Sequence, residues 1–254
     1  VPLGSGLSSS ASLTVATLRA LRDLFGLTFD DAVLAGLARR IETDFIGVPI
    51  GVMDPIACSL GIEGHALFLD TRDLSWERVR IPSMVEFAVI DSGVSHSHAT
   101  GGYRTRRDEC DAATRALHLD QLRDFAEGDR AALDALPDVL RRRARHIVSE
   151  NARVLDAVAA LRRRDVTRLG ALMDASHASL RDDYEVSIPE IDRMVACARA
   201  RQGVLGARIT GGGFGGSIVV LTLEGHARAA ADAVIADART MDGVRPQVLV
   251  PAPA

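Results

Sequence analysis

The sequence predicts an α+β fold in which helices cover one face of an antiparallel sheet. Apolar residues recur at helical spacing near the start of the chain, which predicts helices there. The last third runs in the order helix, strand, glycine-rich segment, strand, helix and strand, which is typical of such a sheet. With 254 residues, 47% of them hydrophobic, the chain can bury a full core as one large domain or two modest ones.

Two amphipathic helices are expected first. The first should begin at Ser9 or Ser10 and stop before Gly26, and the second should begin at Thr28, where a T-x-x-D pattern resembles a capping box. The apolar positions at helical spacing in the first helix are Leu13, Ala16, Ala20 and Leu24. The predicted buried stripe of the second is Val33, Leu34, Leu37, Ile41 and Phe45.

The later elements follow from turn residues and alternation. Asp54 and Pro55 predict the start of a short helix, with Asp54 as its N-cap and Pro55 as its first residue. The chain from 103 to about 164 should be mostly helical, and a further helix should lie near 190–201. The predicted strands are 65–69, 76–81, 87–90, 207–210, 217–223 and 247–250.

Composition narrows the function classes. A net charge of −4 gives no overall field that attracts nucleic acid, so a small-molecule partner is expected. Every basic residue is an arginine, and the absence of lysine excludes a P-loop NTPase and a Schiff-base enzyme. The three cysteines lack disulfide or zinc spacing, which favours a reducing cytoplasm, and no apolar run is long enough to span a membrane.

Two glycine-rich segments are candidates for binding. Residues 4–12 read GSGLSSSAS before a predicted helix, and unpaired amides, hydroxyls and glycines at a helix start make an anion site. A serine-rich helix cap explains the same residues equally well. Residues 210–216 read TGGGFGG between two strands, where a close contact or a wide hairpin turn would account for the glycines.

These two segments resemble the second and third motifs of the GHMP kinases. The segments 51–54 (GVMD), 102–110 (GYRTRRDEC) and 177–187 (HASLRDDYEVS) are similar to the galactokinase branch of that family. The resemblance implies a GHMP kinase fold, with residues 1–85 as the remainder of the N-terminal ATP-binding domain and 86–254 as a ferredoxin-like C-terminal domain. The family's first motif is missing, so the 254 residues alone are expected to be inactive.

The resemblance also implies the site residues. It makes Asp54 the catalytic carboxylate and a sugar contact, and Tyr103 a second sugar contact. Ser10 and Glu42 would hold Mg²⁺, which suits a hydroxyl and a carboxylate. The residues that would bind ATP are Gly4, Ser5, Gly6, Leu7, Ser8, Ser9 and Ser10. Taken alone, Asp54 reads as a helix cap, Glu42 as a solvated helix face and Tyr103 as ordinary packing.

The implied reaction is ATP-dependent phosphorylation of galactose to galactose 1-phosphate. Another sugar-1-kinase, acting on N-acetylgalactosamine or arabinose, and a non-catalytic sugar and ATP sensor stay open. The sequence departs from the galactokinase pattern at Thr14, at Pro55 and at Ser217, where Glu, Gln and Cys are usual. No nucleic acid or membrane partner is expected, and the oligomeric state is not predicted.

Overall fold

The computed structural model describes residues 1–2, 5–47, 51–95, 99–126 and 129–250, with the backbone alone for residues 95, 99 and 100. The chain divides into two compact units, Val1–Ser83 and Met84–Ala254. Each unit has buried hydrophobic clusters of its own.

The described residues of the first unit form three helices, a π-helical turn and a two-stranded antiparallel hairpin. In chain order these are α1 (Ser9–Leu24), α2 (Asp31–Arg40), the π-helical turn (Ile41–Ile46), α3 (Met53–Leu60), β1 (His65–Leu69) and β2 (Trp76–Arg80). Val15 of α1 packs with Leu34 and Ala38 of α2, and Ala35 of α2 packs with Ile56 of α3. Helix α2 therefore has one neighbour on each side.

The start of α1 at Ser9 is confirmed. The face that this helix buries is not the one that carries the predicted apolar positions. Ala11 and Val15 are its buried residues, whereas Leu13 and Leu24 are 69% and 74% exposed. The helix is apolar on both faces, and α2 packs against only one of them.

The predicted start of the second helix is wrong. Asp30, in extended conformation, is the N-cap: its carboxylate accepts a hydrogen bond from the amide of Val33 at 2.8 Å. Thr28 lies two residues before this cap and takes no part in it. An Asp at the N-cap accepts a hydrogen bond from the backbone amide three residues later. The T-x-x-D pattern instead assigns the cap to the hydroxyl of Thr28.

The predicted buried stripe of this helix is also wrong at its two ends. Leu34 is fully buried, but Val33 is 50% and Phe45 is 89% exposed. Phe45 lies in the π-helical turn, whose wider spacing shifts each side chain away from the face that an α-helix would give it. The same shift places Glu42 among the buried residues.

The second unit is built on a four-stranded antiparallel sheet in the order β4-β5-β3-β6. Its elements are β3 (Val85–Ser95), α4 (Ala99–Ala116), a 3₁₀ turn (Leu122–Asp124), α5 (Arg130–Asp134), α6 (Asp138–Arg163), α7 (Val166–Asp182), α8 (Pro189–Arg199), β4 (Val204–Ile209), β5 (Gly215–Leu223), α9 (Ala227–Ala238) and β6 (Gln247–Val250). The predicted strands are confirmed, with β3 longer than expected. Helix α7 is an element that the sequence patterns did not predict.

The core of the second unit lies on one face of this sheet. Ile218 on β5 is paired with Ile90 on β3 and with Ile209 on β4, so the three side chains form one buried row. Met194 of α8 and Val234 of α9 pack against that row. The α+β prediction, with helices on one face of the antiparallel sheet, is confirmed.

Helix α7 covers the outer edge of β4. Gly170 and Gly206 let the two backbones meet, because a Cβ on Gly170 would lie 2.1 Å from the carbonyl oxygen of Leu205. The amide of Ala207 donates to the Asp174 carboxylate at 2.9 Å, so an amide of this strand is paired by the helix. Among the helices that the structure describes, none combines the length and apolar character that crossing a membrane requires.

Candidate functional site

The predicted anion loop of the first unit leads directly into the amino end of α1. Ser8, at the capping position, has left-handed backbone angles of φ 57° and ψ 50°, and its side chain makes no capping hydrogen bond. Such angles are uncommon for a residue other than glycine and cluster at functional sites. The first turn of α1 contains no acidic residue. The uncapped helix start therefore favours an anion.

The other loop residues divide into structural and accessible ones. Ser5 is fully buried, and its hydroxyl donates to the carbonyl of Pro2 at 3.0 Å. Gly6 has a φ of 72°, which permits the turn before Ser8. The partly buried or exposed residues that remain are Leu7, Ser9 and Ser10. Gly4 lies outside the described residues.

Glu42 is a buried carboxylate beside α1. It is 3% exposed, and one of its oxygens accepts a hydrogen bond from the hydroxyl of Thr14 at 3.4 Å. Within the described part of the chain no arginine or histidine pairs with it. A buried carboxylate is normally paired or bound to a metal ion, so this environment fits a cation.

Ser10 lies on the same side of α1 as that carboxylate. It precedes Thr14 by one helical turn, and residues four apart share a helix face. Ser10 is exposed, unlike Glu42. Magnesium needs few protein ligands, because it keeps several waters and binds nucleotide phosphates directly. A hydroxyl and a buried carboxylate on one side of α1 therefore fit Mg²⁺, and among the described residues no group of three or more His, Cys, Asp or Glu suggests another metal site.

Asp54 lies in the first turn of α3, but the prediction that it is the N-cap is wrong. The cap is Val52, and Asp54 is the second residue of the helix. Pro55 then falls at the third position, where its missing N–H removes no helical hydrogen bond. The half-buried Asp54 carboxylate makes no hydrogen bond to the described residues. Burial, and then the charge of Asp54, raise the pKa of Cys58 one turn away.

Arg19 holds α3 in place. This side chain on α1 donates to the carboxylate of Asp31 on α2 at 3.2 Å and to the carbonyl of Ser59 on α3 at 2.6 Å. The carbonyl is one of the last on α3, where helical carbonyls lack partners. One arginine thereby joins the helix of Asp54 to the helix of the anion loop.

In the second unit, Tyr103 is the fifth residue of α4 and is 49% exposed. The glycine-rich loop that joins β4 to β5 passes beside it: a Cβ on Gly212 would lie 3.9 Å from Cδ2 of Tyr103. The loop is a hairpin connection, closed by the amide of Thr210, which donates to the carbonyl of Ser217 at 2.9 Å. Both readings of this segment hold, since it is a hairpin turn and a Cβ on Gly213 would lie 2.6 Å from the carbonyl oxygen of Val186.

An ion-pair cluster around the buried Arg143, beside α4, is another feature that the sequence did not reveal. Arg143 on α6 is 2% exposed and donates to Glu109 at 2.7 Å, to Glu185 at 2.6 Å and to the carbonyl of Asp183 at 2.5 Å. Arg106 donates to the same oxygen of Glu109 at 2.5 Å. Burial raises the pKa of Glu109, but hydrogen bonds from Arg143 and Arg106 outweigh it and leave this pKa below its usual value. Arg143 stands in a run of arginines, and nothing in their order marks the buried one.

His146 forms a second buried contact in this unit. Its ring is 4% exposed and stacks on Tyr184, with centroids 4.4 Å apart, while Nδ1 lies 3.0 Å from the hydroxyl of Ser179. Burial lowers the pKa of His146 to about 4. The imidazole is therefore neutral at pH 7.

Comparison with known proteins supports the motif resemblance. The profile "GHMP kinases N terminal domain" matches residues 1–62, and "GHMP kinases C terminal" matches residues 157–239. A galactokinase of Thermotoga neapolitana is 43% identical over 226 residues, which cover 89% of this chain and 64% of that protein. A galactokinase of Chloroflexus aurantiacus is 44% identical over 257 residues, covering 98% of this chain and 66% of that protein.

A solved structure gives the same result. The galactokinase of Lactococcus lactis, in complex with galactose, superimposes with a TM-score of 0.90 at 32% identity, covering 98% of this chain and 66% of that structure. The chain thus spans slightly less than two thirds of the length of these proteins.

Proposed function

Because this chain belongs to the GHMP kinase family, we propose that the whole protein transfers the γ-phosphoryl group of ATP to galactose and forms galactose 1-phosphate. The similarity to galactokinases over most of the chain supports the sugar. The observation that carries the phosphoryl chemistry is the uncapped start of α1 beside Glu42, a buried carboxylate that pairs with no arginine or histidine among the described residues.

The loop of residues 4–10 and the start of α1 would bind the phosphates of ATP. Amide N–H groups at a helix start attract phosphate, and the left-handed Ser8 keeps its own side chain from capping them. Ser10 and Glu42 would hold Mg²⁺, which neutralises charge on the phosphates when it is bound.

Asp54 would accept the proton of the sugar hydroxyl as the hydroxyl oxygen attacks the γ-phosphorus and ADP leaves. Phosphoryl transfer needs mainly positioning and charge stabilisation, so one carboxylate held by a fixed helix is sufficient protein chemistry. The lack of a hydrogen bond from the described residues leaves this carboxylate ready for a substrate hydroxyl. Tyr103 would contact the sugar through its half-exposed side chain.

An ADP-release assay of the full-length protein tests this function. Galactose, N-acetylgalactosamine, arabinose and glucose are compared at equal concentration with Mg²⁺ and ATP, and the product is identified by its phosphorus NMR spectrum. We expect galactose to give the highest kcat/KM and a phosphate on the anomeric oxygen. A higher kcat/KM for another sugar would identify that sugar, rather than galactose, as the substrate. Binding of galactose and ATP without ADP release would indicate a sensor.

We also propose a cytoplasmic location for the protein. The cysteines Cys58, Cys110 and Cys197 are all free in the structure. Free, partly buried thiols are usual in a reducing compartment, whereas secreted proteins tend to pair them.

A further inference from the structure

The ring of Phe214, in the glycine-rich loop, lies against the backbone of α4 at Gly102. A Cβ on Gly102 would lie 2.5 Å from Cζ of Phe214 and 2.7 Å from Cε2, closer than any van der Waals contact. A Cβ on the preceding Gly101 would have no atom of the described residues within 4 Å. Within the described part of the chain, a contact therefore requires the absence of a side chain at Gly102 but not at Gly101.

The backbone of Phe214 leaves this ring little freedom to move away. Its φ is 60°, a left-handed value that a residue other than glycine adopts only when its surroundings impose it. Its amide donates to the carbonyl of Val186 at 2.7 Å. The neighbouring Gly213 is pressed against the same residue, because a Cβ there would lie 2.5 Å from the Cβ of Val186.

Val186 is in turn fixed by the ion pairs of its neighbour Glu185. The residue before it, Glu185, also has a left-handed φ, of 54°, and its carboxylate is held by Arg142 and Arg143. The amide of Val186 donates to the carbonyl of Leu180 at 3.0 Å. The segment that supports Phe214 is therefore attached to α6 and α7.

Tyr103 has few contacts of its own. Its side chain is 49% exposed, and its hydroxyl makes no hydrogen bond to the part of the chain that the structure describes. It follows Gly102 directly, and its ring borders the loop at Gly212. The position of the ring is thus set by the backbone of the first turn of α4.

We propose that Phe214 is a positioning residue for Tyr103: its ring packs on Gly102 and fixes the first turn of α4 against the glycine-rich loop. The proposal rests on the proposed function in one respect, which is that Tyr103 contacts the sugar. It assigns Gly102 a specific role, which is to leave room for the aromatic ring.

The test is a double-mutant cycle in the full-length protein. Gly102→Ala displaces the ring, and Phe214→Leu removes it, so each should raise KM for galactose about tenfold while KM for ATP changes less than about twofold. The double variant gives the shorter leucine room for the added methyl and should recover most of the sugar KM. Gly101→Ala is the matched control and should leave both constants unchanged.

A readout that does not need turnover separates this proposal from the proposed function. With 3-fluorotyrosine incorporated, the ¹⁹F signal that disappears in Tyr103→Phe reports on Tyr103. We expect Gly102→Ala and Phe214→Leu to shift it, Gly101→Ala to leave it in place, and the signal of the half-buried Tyr184 to stay unchanged. If wild type lacks sugar kinase activity, the function fails but the fluorine signal still decides the positioning.

The result that overturns the proposal is an unshifted Tyr103 signal in a folded Gly102→Ala variant, or an equal shift in Gly101→Ala. Where Gly102→Ala does not fold, Phe214→Leu alone decides, and an unchanged signal there overturns the proposal as well.

Discussion

Replacing Arg143 by methionine should destabilise the second unit more than any other single arginine change on α6. Methionine keeps most of the buried volume but removes three hydrogen bonds, to Glu109, to Glu185 and to the carbonyl of Asp183. Breaking a buried charge network on one side typically costs about 3–5 kcal/mol. The two carboxylates left behind are 21% and 40% exposed and keep Arg106 and Arg142 as partners, so we expect a smaller loss, about 2 kcal/mol.

Arg141→Met is the matched control on the same helix. Arg141 pairs with the exposed Asp138 at 2.6 Å, and a surface pair of this kind contributes about 0–1 kcal/mol. Urea unfolding of both full-length variants at pH 7, followed by circular dichroism with the m-value compared to wild type, measures the difference. If Arg143→Met loses no more stability than Arg141→Met, the buried network does not stabilise the fold as argued.

The difference in stability between wild type and Arg143→Met should depend on pH. The pKa of Glu185 is lowered by hydrogen bonds from Arg143 and Arg142, and that of Glu109 is lowered on balance as well. A carboxylate with a lowered folded pKa stabilises above its unfolded value, 4.5, and that stabilisation is lost as the pH falls through the folded value. The gap between wild type and Arg143→Met should therefore narrow below pH 4.5, and a constant gap from pH 7 to 3 would argue against ionised partners.

Three further predictions follow from the remaining geometry. Glu42→Gln should leave the fold intact but raise the Mg²⁺ concentration for half-maximal activity at least about tenfold, and an unchanged Mg²⁺ titration would remove Glu42 from the metal site. Since the folded pKa of His146 is about 4 and its unfolded pKa is 6.5, wild type should lose on the order of 3 kcal/mol as the pH falls from 6.5 to 4, and His146→Gln should lose less. Gly170→Ala should destabilise the second unit, because the added methyl meets the carbonyl of Leu205, whereas Gly36→Ala, with open space, should not; equal unfolding curves for the two variants would contradict this.

Local signals in the sequence were sufficient for most of the fold. The start of α1, the strands and the antiparallel order followed from periodicity, glycine and turn residues, because each of these acts over a few neighbours. The family was inferred from the resemblance of several segments, such as residues 4–12 and 210–216, to its known motifs. Thr28 failed as a cap because Asp30 competes for the same helix start, and only the hydrogen bond to Val33 identifies the cap.

Contacts distant in sequence could not be predicted in this way. A helical stripe through Ile41 and Phe45 assumes 3.6 residues per turn, and the π-helical turn breaks that spacing. Arg143 is chemically identical to its neighbours, so its burial depends on where α4 and the segment after α7 meet α6. Among the described residues, Gly102 is likewise distinguished from Gly101 only by the ring of Phe214, which follows it by 112 residues in the sequence.

The roles given to Asp54, Tyr103, Ser10 and Glu42 stay predictions. The structure adds that Asp54 lies within a helix rather than capping it, and that Glu42 is buried rather than on a solvated face. Both environments suit the proposed roles, but substrate contacts decide them.

The turnover of Asp54→Asn in the full-length protein tests the proposed reaction most directly. Asparagine keeps the size of the side chain and removes the proton acceptor, so kcat should fall by about 10²–10⁴ while galactose and ATP still bind. Asp44→Asn, which changes an exposed carboxylate in the π-helical turn, is the control and should retain wild-type kcat. Undiminished phosphorylation of galactose by Asp54→Asn would contradict the assignment of this carboxylate to the reaction.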